Sequence, residues 1–165
     1  VLIDYDALIA PLGLGFPGRA RPLWRDRMVL VVDRANPFLH EGTLDLDDLR
    51  TMPHAAATFG PGILTPVDRM FGELGIERRI KMQVAGFLPL PFVVRGTDLV
   101  AVVPERLARI HGAPRGAIVV LEPPFAELVL AEGYWFDPDR TSDPAHRWFF
   151  GILDDLALEL AADPT

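Results

Sequence analysis

Four histidines, a single serine and no cysteine are the residues of this 165-residue chain best suited to nucleophilic, acid–base or metal chemistry. The histidines stand at 40, 54, 111 and 146, none of them three or four residues from another. No helical His pair can therefore close on a metal ion, and no thiolate is there to supplement one. His146 falls in the first turn of a helix, where a neutral partnership with Asp143 or a packing role suits it better than acid–base work. Ser142 lies in Thr141-Ser-Asp-Pro144, which reads as a helix-capping turn; with no G-x-S-x-G elbow, a serine hydrolase is not expected. The expected metal set and the expected catalytic set are both empty.

Gly13-Leu-Gly-Phe-Pro-Gly18 spells G-x-G-x-x-G. Dinucleotide binding needs a helix to open at that turn, so that its N–H groups face the pyrophosphate. The chain instead continues through Arg19-Ala-Arg-Pro22 into a strand, so the segment reads as a crossover loop and no cofactor is expected. Glu77-Arg-Arg79 with Lys81 reads as a solvated strand edge that deters sheet-to-sheet pairing. Phe59, Phe87 and Phe92 can line a pocket for an aromatic ligand. Ordinary core packing is the simpler reading for Phe92, while Phe59 and Phe87, each beside a glycine, suit either role.

The elements that would position these residues alternate between strand and helix. Arg79–Val84 and Leu99–Val103 are strand-like apolar runs, and the glycine-led segment Ala85–Val94 between them can open a short helix. Such a βαβ unit implies parallel strands with helices on the sheet faces, and ligand sites beyond the carboxyl ends of the strands. Upstream, Ala7–Ala10 and Arg27–Asp33 read as strands separated by a Gly/Pro loop over 13–22. Thr43 caps a helix to Arg50, His54–Phe59 is a strand, and Thr65–Leu74 is an amphipathic helix ended by Gly75. A helix over about 88–95, a helix over 104–110, and strands at 117–121 and 128–136 come next. Asp143-Pro144 starts the last helix, with Trp148, Ile152, Leu156 and Leu160 as its expected buried stripe. The fold class is α/β.

Half of the residues are hydrophobic, enough for a sizeable core, and the net charge of −7, with 16 basic residues among 23 acidic ones, argues against a general affinity for nucleic acid. The longest apolar runs are far too short to span a bilayer. No membrane partner is expected, and the expected setting is the cytoplasm.

Four stretches together resemble the effector-binding domain of LysR-type transcriptional regulators, in the branch that senses flavonoids and small aromatic acids. They are Trp24–Asp33 with Asn36-Pro37, Leu74-Gly-Ile-Glu-Arg-Arg79, Gly96–Ala108, and Asp143-Pro-Ala-His-Arg-Trp148. The resemblance implies a periplasmic-binding-protein-like (type 2) two-lobe fold with an inducer bound between the lobes. Residues 22–131 would form a complete second lobe, and residues 1–21 and 132–165 would be parts of the first. The helix-turn-helix and the opening elements of the first lobe would lie outside this chain, so DNA would be reached only through that missing head. The implied partners are a small aromatic or apolar effector and further copies of the chain in a homo-oligomer. The alternatives are a stand-alone solute-binding protein of the same fold, or a small α/β enzyme, which would need two ionisable groups converging at the strand ends.

The site implied by the resemblance has three groups. Pro11 and Leu12 end the first strand; Phe59, Gly60, Gly62, Leu64 and Thr65 belong to the loop before a helix; Gly86, Phe87 and Leu88 open the next one. Leu64 and Gly86 stand where aromatic-acid sensors of the family often carry histidines, which favours a more apolar or larger ligand than a salicylate. It would be oriented by Thr65 and by backbone N–H groups at helix starts, although Pro89 and Pro91 remove two such donors.

Overall fold

In the computed structural model, which describes residues 5–112 and 116–162, the chain folds as two compact units. One comprises Val1–Asp26 with Val129–Thr165, the other Arg27–Leu128. The unit boundaries fall at 26/27 and 128/129; the lobes implied by the family resemblance were bounded at 21/22 and 131/132.

The second unit is built on a mixed sheet. Strand β2 (Arg19–Asp33) contributes its later half, which runs antiparallel both to β5 (Val100–Pro104) and to β6 (Ile118–Leu121). Strand β3 (Pro53–Thr58) lies between β5 and β4 (Arg79–Ala85) and is parallel to each. The βαβ reading of 79–103 is therefore correct in direction, but β3 separates its two strands. Val29–Val32 and Val100–Val103, buried throughout, are the centre of the core, which explains their unbroken apolar runs. Among the described residues this unit carries helices α1 (Leu46–Thr51), α2 (Pro66–Glu73), α3 (Leu90–Val93) and α4 (Glu105–Gly112). Helix α1 is capped by Asp45, with Asp48 completing a reciprocal box, and not by Thr43. At the start of this unit Arg27 grips two carboxylates, Glu105 at 2.6 and 2.8 Å and Glu122 at 2.6 and 2.9 Å. These bonds hold Glu105 below the usual carboxylate range and tie β2 to the start of α4.

In the first unit β1 (Leu8–Pro11) pairs antiparallel with β7 (Val129–Phe136), from Leu8 opposite Trp135 to Pro11 opposite Glu132. Strand β7 in turn lies beside β2. That neighbour is why β2 begins at Arg19, inside the segment expected to be a loop through Pro22. A proline is tolerated in a strand where no ladder donor is needed. Gly13, Gly15 and Gly18 all take positive φ in the turn before this strand, and no helix opens there. After a 3-10 turn (Pro138–Ser142), helix α5 (Pro144–Ala162) packs Phe150 and Leu153 against Leu23, Tyr134 and Phe136. The Phe150 ring stands 4.7 Å from that of Phe136 and 5.6 Å from that of Tyr134. The expected stripe through Trp148, Ile152 and Leu156 is on the exposed side instead, with Trp148 at 70% exposure. His146 makes the expected contact with Asp143, its Nδ1 lying 3.1 Å from the carboxylate, and its Nε2 is 3.0 Å from Asp6.

Candidate functional site

Because β3 and β4 are parallel and in register from Ala55 opposite Met82 to Thr58 opposite Ala85, they end side by side. Their succeeding loops are thereby brought together at the carboxyl ends of the strands, the edge where open α/β sheets hold ligands. Gly86 donates its N–H to the Thr58 carbonyl at 3.1 Å from a backbone with φ of 72°, a conformation that favours glycine. The next residue, Phe87, is buried and meets Phe59 edge-on, ring centres 5.5 Å apart. So the second and third predicted groups adjoin within this unit. Leu64 and Leu88, at 60% and 62% exposure, stand out from the two loops, as does Phe92 from α3. No residue of 59–65 or 86–88 is ionisable, and the surface is one of apolar side chains and backbone. Pro11 and Leu12 lie in the first unit at the end of β1, where Leu12 donates its N–H to the Ala131 carbonyl at 2.7 Å.

Thr65 has a different task from the one expected of it. It is almost fully buried, and its hydroxyl donates to the Asp68 carboxylate at 2.7 Å while accepting the Asp68 N–H at 3.1 Å. The Asp68 carboxylate returns to the Thr65 N–H at 2.7 Å, closing a reciprocal cap on α2. Thr65 therefore sets the loop and has no hydroxyl donor to spare. At α3 the expected helix over 88–95 shrinks to one turn with no side-chain cap, and Pro89 and Pro91 cannot donate.

Behind α2 lies a set of residues that the sequence pattern did not reveal. Arg78, read as part of a solvated edge, turns inward and pairs with Asp68, its side chain only 7% exposed. Its guanidinium lies over the Phe71 ring, 4.8 Å from the centroid, and Phe71 meets His54 edge-on at 5.5 Å. The His54 Nε2 is 2.8 Å from the Leu49 carbonyl, which makes Nε2 the protonated nitrogen of the neutral ring. The one advance signal was Thr65-x-x-Asp68, a capping-box spacing whose carboxylate keeps a second oxygen for a cation.

Burial above all holds the His54 imidazole down at about 4, with the Arg78 charge adding to the effect and the Leu49 bond opposing it. The stability this confers is complete above the ordinary histidine value and is lost as pH falls from there through about 4. We expect His54→Gln to remove on the order of 3 kcal/mol of acid sensitivity from the second unit. Urea titrations at a series of pH values check this, and an unchanged slope between about pH 6.5 and 4 would refute it.

A cavity of about 510 Å³ in the first unit is lined by Tyr5, Asp6, Ala7, Ala145, His146, Trp148 and Phe149, none of them a predicted site residue. Among the described residues no group of three or more His, Cys, Asp or Glu side chains can hold a metal ion, and no helix is long and apolar enough to cross a membrane.

Residues 4–157 match the family described as the LysR substrate binding domain. The chain is 30% identical over 154 residues to Nodulation protein D of Rhizobium leguminosarum bv. trifolii, covering 91% of this chain and 47% of that protein. It thus spans about half the length of the curated relatives it matches. Among solved structures, the probable transcriptional regulator PA0477 from Pseudomonas aeruginosa superposes with a TM-score of 0.77 at 23% identity, over 91% of this chain and 49% of that one. The regulatory domain of MexT, a transcriptional activator in Pseudomonas aeruginosa, does so with a TM-score of 0.72 at 22% identity, over 93% and 73%. At those identities the two structures speak for the fold.

Proposed function

The chain belongs to the LysR substrate-binding domain family, and from that premise we propose that it senses a small apolar or aromatic effector for a transcriptional regulator. The observation that carries this reading is the uncharged, partly exposed surface where β3 and β4 end. There the loops that bring Phe59 and Phe87 together also carry the exposed Leu64 and Leu88. Apolar side chains left in water at strand ends are what an aromatic effector would cover, and no ionisable group there would hold a carboxylate. Gly60, Gly62 and Gly86 shape the two loops, each with positive φ, while Thr65 fixes the start of α2. Pro11 and Leu12 stay in the proposal as residues of the first unit.

For the whole regulator the proposal is a population shift. Effector would favour one conformation of this domain, and a homo-oligomer would pass the bias to a DNA-binding head outside this chain, in the cytoplasm. None of the relatives named above favours a stand-alone solute-binding protein.

The test is thermal unfolding against a panel of flavonoids, benzoates and salicylates. A ligand that binds only the native state adds about 2.7 kcal/mol of stability at a hundredfold excess over Kd. We expect at least one flavonoid to raise the melting point with concentration, and Leu88→Glu to abolish that rise while leaving the ligand-free melt nearly unchanged. A cooperative melt that no compound shifts would overturn the reading, as would a shift that survives both Leu64→Glu and Leu88→Glu.

A further inference from the structure

We propose that Glu132, buried on β7 beside the strand that carries the buried Asp26, is a proton-binding residue that makes the first unit responsive to pH. Asp26 is the last residue of the first unit before the chain passes on along β2, and Glu132 lies on β7, just after the chain returns at Val129. The two strands are neighbours in the sheet. Both acidic residues are buried, at 4% and 9% exposure, and the Glu132 Oε2 has no hydrogen-bond partner among the described residues. If the group is ionised, that oxygen has lost its water and gained no hydrogen bond in exchange. Two ionised carboxylates in one buried region also repel, so a pair holding one proton carries one charge where the fully ionised pair carries two.

The neighbouring strands and helix offer Glu132 no compensating cation among the described residues. Opposite it, β1 brings Pro11, and neither Leu8–Pro11 nor the loop through Gly18 contains an ionisable residue. On β2, Arg21 is held by Asp154 and Tyr134, and Arg27 by Glu105 and Glu122, while Arg19 and Arg25 are exposed. The acid that α5 brings to this face, Asp154, is itself bonded to Arg21 and the Tyr134 hydroxyl. Burial first, and the Asp26 charge second, push Glu132 up to about 7. A carboxyl raised in this way is protonated more readily in the folded chain than in the unfolded one. Its stabilising effect is therefore complete below the ordinary glutamate value and is lost as pH rises through about 7. That sign is opposite to the one for His54 in the second unit.

The test is thermal unfolding of the chain and of Glu132→Gln between about pH 5.5 and 8.5. The melting point of the unaltered chain is expected to fall by about 5 °C or more across that range relative to the variant, which becomes the more stable of the two at the alkaline end. An identical fall in both proteins, or a variant that melts lower at high pH, would overturn the proposal. Should Glu132→Gln not fold, infrared spectra of the unaltered chain decide the matter. They should show a protonated-carboxyl band that titrates near neutrality and moves to lower pH in Asp26→Asn. The absence of any carboxyl band titrating between about pH 6 and 8 would be equally fatal.

Discussion

Asp68→Ala is expected to cost the second unit about 3–5 kcal/mol of unfolding free energy, read as a markedly lower urea midpoint. Two losses coincide at this residue. Its carboxylate is the partner of Arg78, whose side chain is nearly buried and packed against Phe71. Removing the acid strands a cation where water cannot reach it, which is the costly way to break a buried pair. The same carboxylate accepts both the N–H and the hydroxyl of Thr65, so the first turn of α2 loses its cap as well. The pairing predicts an asymmetry. In Arg78→Met the cation goes and an apolar chain of similar reach stays over Phe71, while Asp68 keeps its bonds to Thr65 and some access to water. That variant should lose only about 1–2 kcal/mol. Equal costs for the two substitutions would mean that the ion pair is not what is being measured. Because Thr65 ends the loop from Phe59, Asp68→Ala should also weaken any effector-induced shift.

How far such features were visible in advance depended on whether neighbouring residues or distant ones decide them. The parallel strands of the second unit were legible because Arg79–Val84 and Leu99–Val103 are bounded by glycines and too far apart for a hairpin. The loops of the candidate site were legible for the same reason, since Gly60, Gly62 and Gly86 mark the turns that follow two strands, the buried β3 and the exposed β4. The early start of β2 was not, because Arg19-Ala-Arg-Pro22 has no apolar alternation and its ladder is completed by β7, remote in sequence. Helix α5 misled for another reason. It is apolar on more than one side, so the row Trp148–Ile152–Leu156 read as the buried stripe although Phe150, Leu153 and Ala157 are the residues that pack inward. The rings of Tyr134 and Phe136, remote in sequence, are what draw Phe150 to the core. Arg78 was hidden within a charged run, where residue type alone cannot show that one cation in three folds inward.

Gly133 provides the sharpest remaining test of that long-range order, because its need for glycine arises from atoms far away in sequence. A β-carbon placed on Gly133 would lie 2.5 Å from the Leu12 Cδ2 and 2.6 Å from the Arg21 carbonyl oxygen. The leucine can rotate away; the carbonyl belongs to β2, the strand beside β7, and yields only if the two strands move apart. Gly133→Ala should therefore destabilise the first unit by about 3 kcal/mol, the upper end for an added methyl in a packed interior. If the backbone contact is the obstacle, Leu12→Ala in the same chain will not restore stability; full recovery would place the strain on the side chain alone. Gly151 supplies the control. It lies within α5 with nothing within 4 Å of its would-be β-carbon, so the same substitution should stabilise by up to about 1 kcal/mol through helix propensity. Opposite signs for one chemical change would show that the strand contact, and not any general intolerance of substitution, keeps position 133 without a side chain.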